Sequence, residues 1–175
     1  EDAAAAHEAN WDRGHFYEGG LKAVVGKLGF LFEPARFGRG MQNFLTMMHQ
    51  NGVTTALDMG TGIFGNPLQE IAGIRAVAEA YPVPSRIVLT PLILDFIGRN
   101  RSPAQALEDI QTWQASNTER VSVGSHFKLM LDGAIFSGLS QFGPPGYLDG
   151  HAGVWMAPRD VTLDFARTFW DAGFQ

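Results

Sequence analysis

Segments with helical and strand periodicity alternate along this chain almost without exception, and that alternation limits the fold more than any other feature. Pro34 can open a helix in which Phe37, Met41, Phe44, Leu45 and Met48 recur at spacings of three and four, and Asn51-Gly52 closes it. Val53 to Asp58 is a short apolar run rich in β-branched residues. Asn66-Pro67 then supplies an N-cap and a first-turn proline, and Leu68, Ile71, Ala72, Ile74, Ala78 and Tyr81 make an apolar stripe. Pro82 and Pro84 stop that helix, and Arg86 to Leu94 reads as a strand covered on both faces. Ser102-Pro103 repeats the start signal for a helix carrying Ala106, Leu107, Ile110 and Trp113 to about Ser116. A last helix begins at Arg159 or Asp160 and buries Val161, Leu163, Phe165, Ala166 and Phe169. Alternation of this kind implies α/β architecture with a parallel sheet and right-handed crossovers.

The run His126 to Ile135 reads as a further strand. Its alternation puts Phe127, Leu129 and Leu131 on one face and Lys128, Met130 and Asp132 on the other. A lysine within such a run is costly to bury unless it is paired, modified or bound. Lys128 is therefore either a site residue or an edge-strand lysine with its ammonium in solvent. Residues 1–15 form a loose or short-helical lead-in to a domain over 16–175, with a weak, glycine-interrupted helix from Tyr17 to Lys27. Gly138 to Pro158 is a long loop rich in glycine and proline, of a length usually reserved for function or disorder.

Composition narrows the partners. The formal charge of -5 argues against a nucleic-acid or anionic-membrane surface, which would need a basic patch. No apolar run approaches the roughly 20 residues of a membrane span. The mean hydropathy of -0.05 is ordinary for a soluble globular protein. The absence of cysteine excludes disulfides, thiolate ligands and a thiol nucleophile. The chain starts at Glu1 with no signal-peptide pattern, so any such peptide would lie outside it and the cytoplasm is the expected compartment. Asp171 to Gln175 look like a helix end, a glycine stop and the entry to a strand, which suggests a piece of a longer protein.

Gly60-Thr61-Gly62-Ile63-Phe64-Gly65 is a literal GxGxxG between a strand and a helix. A dinucleotide loop needs its third glycine inside the helix, and here Asn66-Pro67 starts the helix after all three. A nucleotide-binding α/β module remains an alternative to a loop over a barrel mouth. Asp58, at the C-terminal end of the first long strand, is a candidate substrate contact or a cap on the following loop. Thr90-Pro91 and Asp95 have the equivalent place after the second strand. His151 is a candidate substrate contact or an ordinary hydrogen-bonded histidine. No cofactor-binding residue is assigned.

Lys128-Leu129-Met130-Leu131-Asp132-Gly133-Ala134, followed by Ser137, resembles a strand of the amidohydrolase superfamily. The nearest branch is amidohydrolase-3, with the N-substituted formamide deformylases and proteins labelled exoenzyme regulatory proteins. Gly52-Val53-Thr54-Thr55-Ala56-Leu57-Asp58, Gly14-His15-Phe16-Tyr17-Glu18 and Asp171-Ala172-Gly173-Phe174-Gln175 are similar to other motifs of that branch, in the same order. The resemblance covers most of residues 14–175. It departs at Phe136-Ser137-Gly138-Leu139 and in the loop Phe142 to Tyr147, which bear on substrate choice.

The resemblance implies a parallel-stranded partial (β/α)8 barrel of the TIM type, about four β/α units or slightly fewer. It further implies metal-assisted hydrolysis of a C–N bond of amide or formamide type. Lys128 corresponds to a lysine that many members carry as a carbamate bridging two metals. Asp132 is the candidate catalytic residue, at the strand's C-terminal end beside Gly133. The other family ligands, a His-x-His pair, two later histidines and an aspartate, have no counterpart in this chain. A divalent metal, zinc by preference, is thus expected in the full-length protein and none in this piece, which would be inactive alone. The expected partners are a small-molecule substrate and further copies of the chain. A non-catalytic regulatory protein on a hydrolase scaffold is the third reading.

Overall fold

The computed structural model describes residues 9–175. The chain gathers into two compact units, one joining the chain up to Glu33 with Leu131–Met156, the other comprising Pro34–Met130 and Ala157–Gln175. This grouping cuts across the sequence-based division into 1–15 and 16–175. Residues 1–8 of the expected lead-in lie outside the described residues. Its remainder enters a small antiparallel pair, β1 (Ala9–Asn10) with β2 (His15–Phe16), in which Trp11 stands edge-on to Phe16.

In the first unit a 3-10 turn (Glu18–Gly20) leads into α1 (Leu21–Val25), so the weak helix expected over Tyr17–Lys27 is shorter than its pattern. The Glu18 carboxylate accepts the Ala134 N–H at 2.7 Å and ties the two distant segments of this unit together. The glycine-rich loop is irregular but held. Val154 N donates to Leu139 O, Phe142 N to Ala152 O and Tyr147 N to His151 O, in the manner of a distorted hairpin.

The second unit carries the α/β alternation. Its elements are α2 (Pro34–Gln50), β3 (Thr55–Thr61), α3 (Pro67–Ala80), β4 (Arg86–Pro91), α4 (Ile93–Gly98), α5 (Pro103–Gln114), β5 (Val121–Val123) and α6 (Arg159–Asp171). The two proline starts work as expected. Asn66 accepts from Gln69 N, and Ser102 forms a full capping box with Gln105. The three strands are parallel and lie in chain order, β3-β4-β5. They form an open sheet; no closed barrel is present among the described residues.

Register sets the two faces. Ala56, Ile87 and Val121 form one row, and Asp58, Leu89 and Val123 a second row on the same side. Ile87, Leu89, Val121 and Val123 are buried with Leu45, Ile74, Ile110 and Phe169 in one core. Each such side chain contributes about 1.5–3 kcal/mol by leaving water. On the opposite face of β3, Leu57 and Met59 are nearly half exposed.

Several expectations need correction. Leu68, Ala72 and Leu163 are exposed, because each helix buries only the narrow side it turns to the core. The strand expected over Arg86–Leu94 ends at Pro91, and α4 follows at once. The run His126–Ile135 is not a continuous strand. Val123 pairs with Leu89 whereas Lys128 pairs with Leu92, so two extra residues bow out between them. Past Met130 the chain leaves the second unit, and Asp132 makes its single bridge to Trp155 in the first. The last residues do behave as a strand entry: Gln175 N donates to Ser125 O and Phe127 N to Gln175 O, the pattern of a parallel ladder. No described helix is long and apolar enough to cross a membrane.

Candidate functional site

In parallel sheets the loops after the strands, where the chain leaves the sheet, are free to differ without disturbing the core, and chemistry gathers there. At the end of β3 the register slips between Asp58 and Thr61, giving β3 one extra residue. Asp58 stabilises the slip. One of its oxygens accepts Gly60 N at 3.1 Å, the other the Thr61 hydroxyl at 3.0 Å. Thr61 O in turn accepts Leu92 N, which fixes the end of β3 beside the end of β4.

Two further carboxylates meet this turn. Glu70, in the first turn of α3, accepts Gly62 N at 2.9 Å. Asp95, in α4, holds Arg99 through Nε at 2.9 Å and Nη2 at 2.6 Å, with its own side chain only 5% exposed. Gly62 is at φ +100°, where glycine is strongly favoured, and a Cβ there would also press to within 3.3 Å of an Asp95 oxygen. Burial pushes the Glu70 carboxyl above its usual range; the Gly62 N–H opposes this, while repulsion from Asp58 and Asp95 adds to it. Asp95 is raised by burial against the pull of Arg99.

These contacts assign the glycine loop. The Gly60 and Gly62 N–H groups, which a phosphate would need, already serve Asp58 and Glu70. Three carboxylates stand here against the single guanidinium of Arg99, a balance that repels an anion. A cavity of about 160 Å³ lies beside the loop, lined by Gly65, Asn66, Arg99, Asp109 and Trp113 among others.

Lys128 is the remaining charged candidate of this unit. Its backbone N donates to Pro91 O and its carbonyl accepts from Ile93 N, both at 3.0 Å, which fixes it opposite Leu92 at the C-terminal end of β4. The side chain is half-buried. Asp58 lies within β3, three residues before its end at Thr61, and Lys128 sits in an isolated bridge rather than a continuous strand. Asp132 and His151 belong to the other unit. There Asp132 accepts Gln141 N at 2.8 Å, and both ring nitrogens of His151 are engaged by Asp149 and by the Gly138 carbonyl.

Among the described residues no group of three or more histidines, cysteines or carboxylates is arranged to hold a metal ion. No protein-family model, curated protein or solved structure matches the chain. The site is therefore read from its own residues. Sequence reasoning missed Glu70 and Arg99. The i,i+4 spacing of Asp95 and Arg99 could have revealed that pair, but nothing in the sequence links Glu70 to Gly62.

Burial, with repulsion from Asp58 and Asp95 adding to it, makes Glu70 costly when ionised. The folded state holds its proton more tightly than the unfolded chain, whose value is near 4.5. Stability therefore falls as pH rises from about 4.5 through the elevated folded value. Glu70→Gln keeps an acceptor for Gly62 N and removes that loss. At pH 7 it should be the more stable protein, by no more than about 1 kcal/mol because solvent screens a partly exposed carboxylate. Urea midpoints of the two proteins between pH 4 and 8 (about 0.5 pH unit apart) would diverge upward; parallel curves would refute the assignment.

Proposed function

We propose that the chain forms part of a parallel β/α barrel in a metal-dependent amidohydrolase acting on an amide- or formamide-type C–N bond, to which it contributes Lys128. The observation that carries this reading is the register of Lys128, held parallel to Leu92 where β4 ends. A side chain fixed there stands at the end of the sheet that carries chemistry in β/α barrels. Two features support it. The strands run in chain order without the reversal that marks a doubly wound sheet, and Gln175 continues that order beside β5. β3 ends at Thr61 beside Pro91, and Asp58, three residues earlier, braces that end through the Thr61 hydroxyl.

The described residues do not by themselves fit a metal ion. Lys128 is a single potential ligand, and the three carboxylates near Gly62 are committed to backbone N–H groups, a hydroxyl and Arg99. On this reading the remaining ligands come from outside the described residues. What the chain's own residues supply is a rigid rim. Asp58 and Glu70 brace the glycine loop, and Asp95 with Arg99 anchors α4 beneath it. The nucleotide-binding alternative has the weaker support, since the loop's amides are taken.

Zinc content and amide turnover measured on residues 1–175 should both be negligible, and stoichiometric zinc with turnover would overturn the division of ligands. In a longer chain that does turn over amides, Lys128→Ala should cost more than about 100-fold, beyond the 10–100-fold typical of supporting residues. Added short carboxylic acids should restore part of the loss, by replacing the carbamate oxygens. An unchanged rate in that variant would end the reading of Lys128 as a ligand; absence of turnover in any longer chain would favour a non-catalytic scaffold.

A further inference from the structure

The loop of the first unit contains a device independent of the hydrolase reading. His151 Nε2 lies 2.7 Å from the Gly138 carbonyl oxygen, and Nδ1 lies against the Asp149 carboxylate. A carbonyl oxygen only accepts, and so does an ionised carboxylate. Both contacts are hydrogen bonds only if each ring nitrogen carries a proton, so this geometry belongs to the imidazolium. Neutral imidazole has one N–H; its other nitrogen would turn a lone pair toward an oxygen.

The surroundings reinforce the charge. The Tyr147 ring stacks on His151 with centroids 4.2 Å apart and planes 4° from parallel, a cation-on-aromatic arrangement. Phe142 stands edge-on to Tyr147 on the far side. Asp149 is the charged group that faces the imidazole; Asp132 and Glu18, carboxylates of the same unit, are engaged with Gln141 N and Ala134 N. His151 O also accepts Tyr147 N at 2.9 Å, and Asp149 accepts His151 N at 3.3 Å, so the ring's position is coupled to the backbone turn.

We propose that residues 138–151 form a proton-operated clasp, in which the His151 imidazolium ties Gly138 to Asp149 and loss of either ring proton releases one of the two ties. The Gly138 carbonyl and Asp149 hold the His151 pKa above its ordinary 6.5, and His151 in turn holds Asp149 below its ordinary 3.8. The sign follows for each group. The histidine's contribution is complete below about 6.5 and is lost as pH rises through its elevated value. The aspartate's is complete above about 3.8 and is lost as pH falls through its lowered value. The clasp is tightest between about 3.8 and 6.5 and opens as the pH rises through the elevated value of the histidine.

Two readouts on the full chain test it. The His151 ring resonances should titrate with a midpoint above 6.5. Amide exchange of Phe142 and Tyr147, corrected for its intrinsic pH dependence, should accelerate as the pH passes that midpoint. The total acceleration is about tenfold for every pH unit by which the midpoint exceeds that of a free histidine. Asp149→Asn, at an exposed position, should lower the midpoint and shrink the acceleration. His151→Gln, which keeps one donor and cannot titrate, should make the exchange flat with pH. A midpoint at or below 6.5, or exchange that ignores the titration, would overturn the clasp.

Discussion

Phe96→Ala should destabilise the protein by about 3–5 kcal/mol, a large part of the 5–15 kcal/mol that holds a typical domain together. Phe96 is 1% exposed, and its ring stacks on Trp113 at 5.4 Å. Truncation there leaves a void between α4 and α5 that rigid neighbours cannot close. The damage should also reach the rim, because the Arg99 guanidinium lies 5.0 Å from the Phe96 centroid while holding Asp95. Urea unfolding checks it, with a lowered midpoint at unchanged slope. Phe136→Ala is the matched control: that ring is 92% exposed, and its loss should stay within about 0.5 kcal/mol. Similar effects from the two variants would show that the core is not organised around Phe96.

Gly153→Ala should be at least as severe, for a different reason. Gly153 sits at φ +87°, where an L side chain is strained, and a Cβ there would overlap the Ser140 carbonyl and stand 2.7 Å from the Leu139 oxygen. Both obstacles are backbone, so no rotamer relieves them. The chain at 139–140 would have to move, breaking the Val154 N to Leu139 O bond and the Ser140 hydroxyl bond to Gly133 O. A loss above about 4 kcal/mol is expected, or failure of the 131–156 segment to protect its amides. Gly150→Ala isolates the backbone part, since Gly150 has φ +85° with open space around it. It should cost only about 1–2 kcal/mol. Equal losses would place the whole effect in φ and none in the close approach.

What the sequence disclosed follows from how local each signal is. Asn66-Pro67 and Ser102-Pro103 specify helix starts through bonds within three residues, and both appear as read. The buried run Ile87-Val88-Leu89 gives β4, but Leu92-Ile93-Leu94 continues the same apolar character into a helix. Periodicity cannot separate a short buried strand from a buried helical turn. The run from His126 fails as a strand because its pairing is set by residues far away, Leu92, Gln175 and Trp155. Asp58 was legible only as the end of a run that in fact continues to Thr61, and Lys128 lies opposite Leu92 rather than within a continuous strand of its own. The role of Glu70 was not legible, since it meets Gly62, eight residues earlier, only after the loop has folded back on the first turn of α3. His151 looked like a single ordinary histidine because Gly138, thirteen residues earlier, supplies its second acceptor.

The first unit is built from two stretches that Pro34–Met130 of the second unit separates in the chain, as the bond from Ala134 to Glu18, 116 residues apart, makes plain. Closing so long a loop in an unfolded chain costs about 4 kcal/mol in configurational entropy before any contact rewards it. The β/α segments between need no such closure, since each strand finds the next one along the chain. Connectivity therefore predicts an order of assembly in which β3, β4 and their helices form first, as a nucleus, and shorten the effective tether on the remainder. Substitutions in that nucleus should slow folding, whereas those around Gly133, Gly153 and Glu18 should chiefly hasten unfolding.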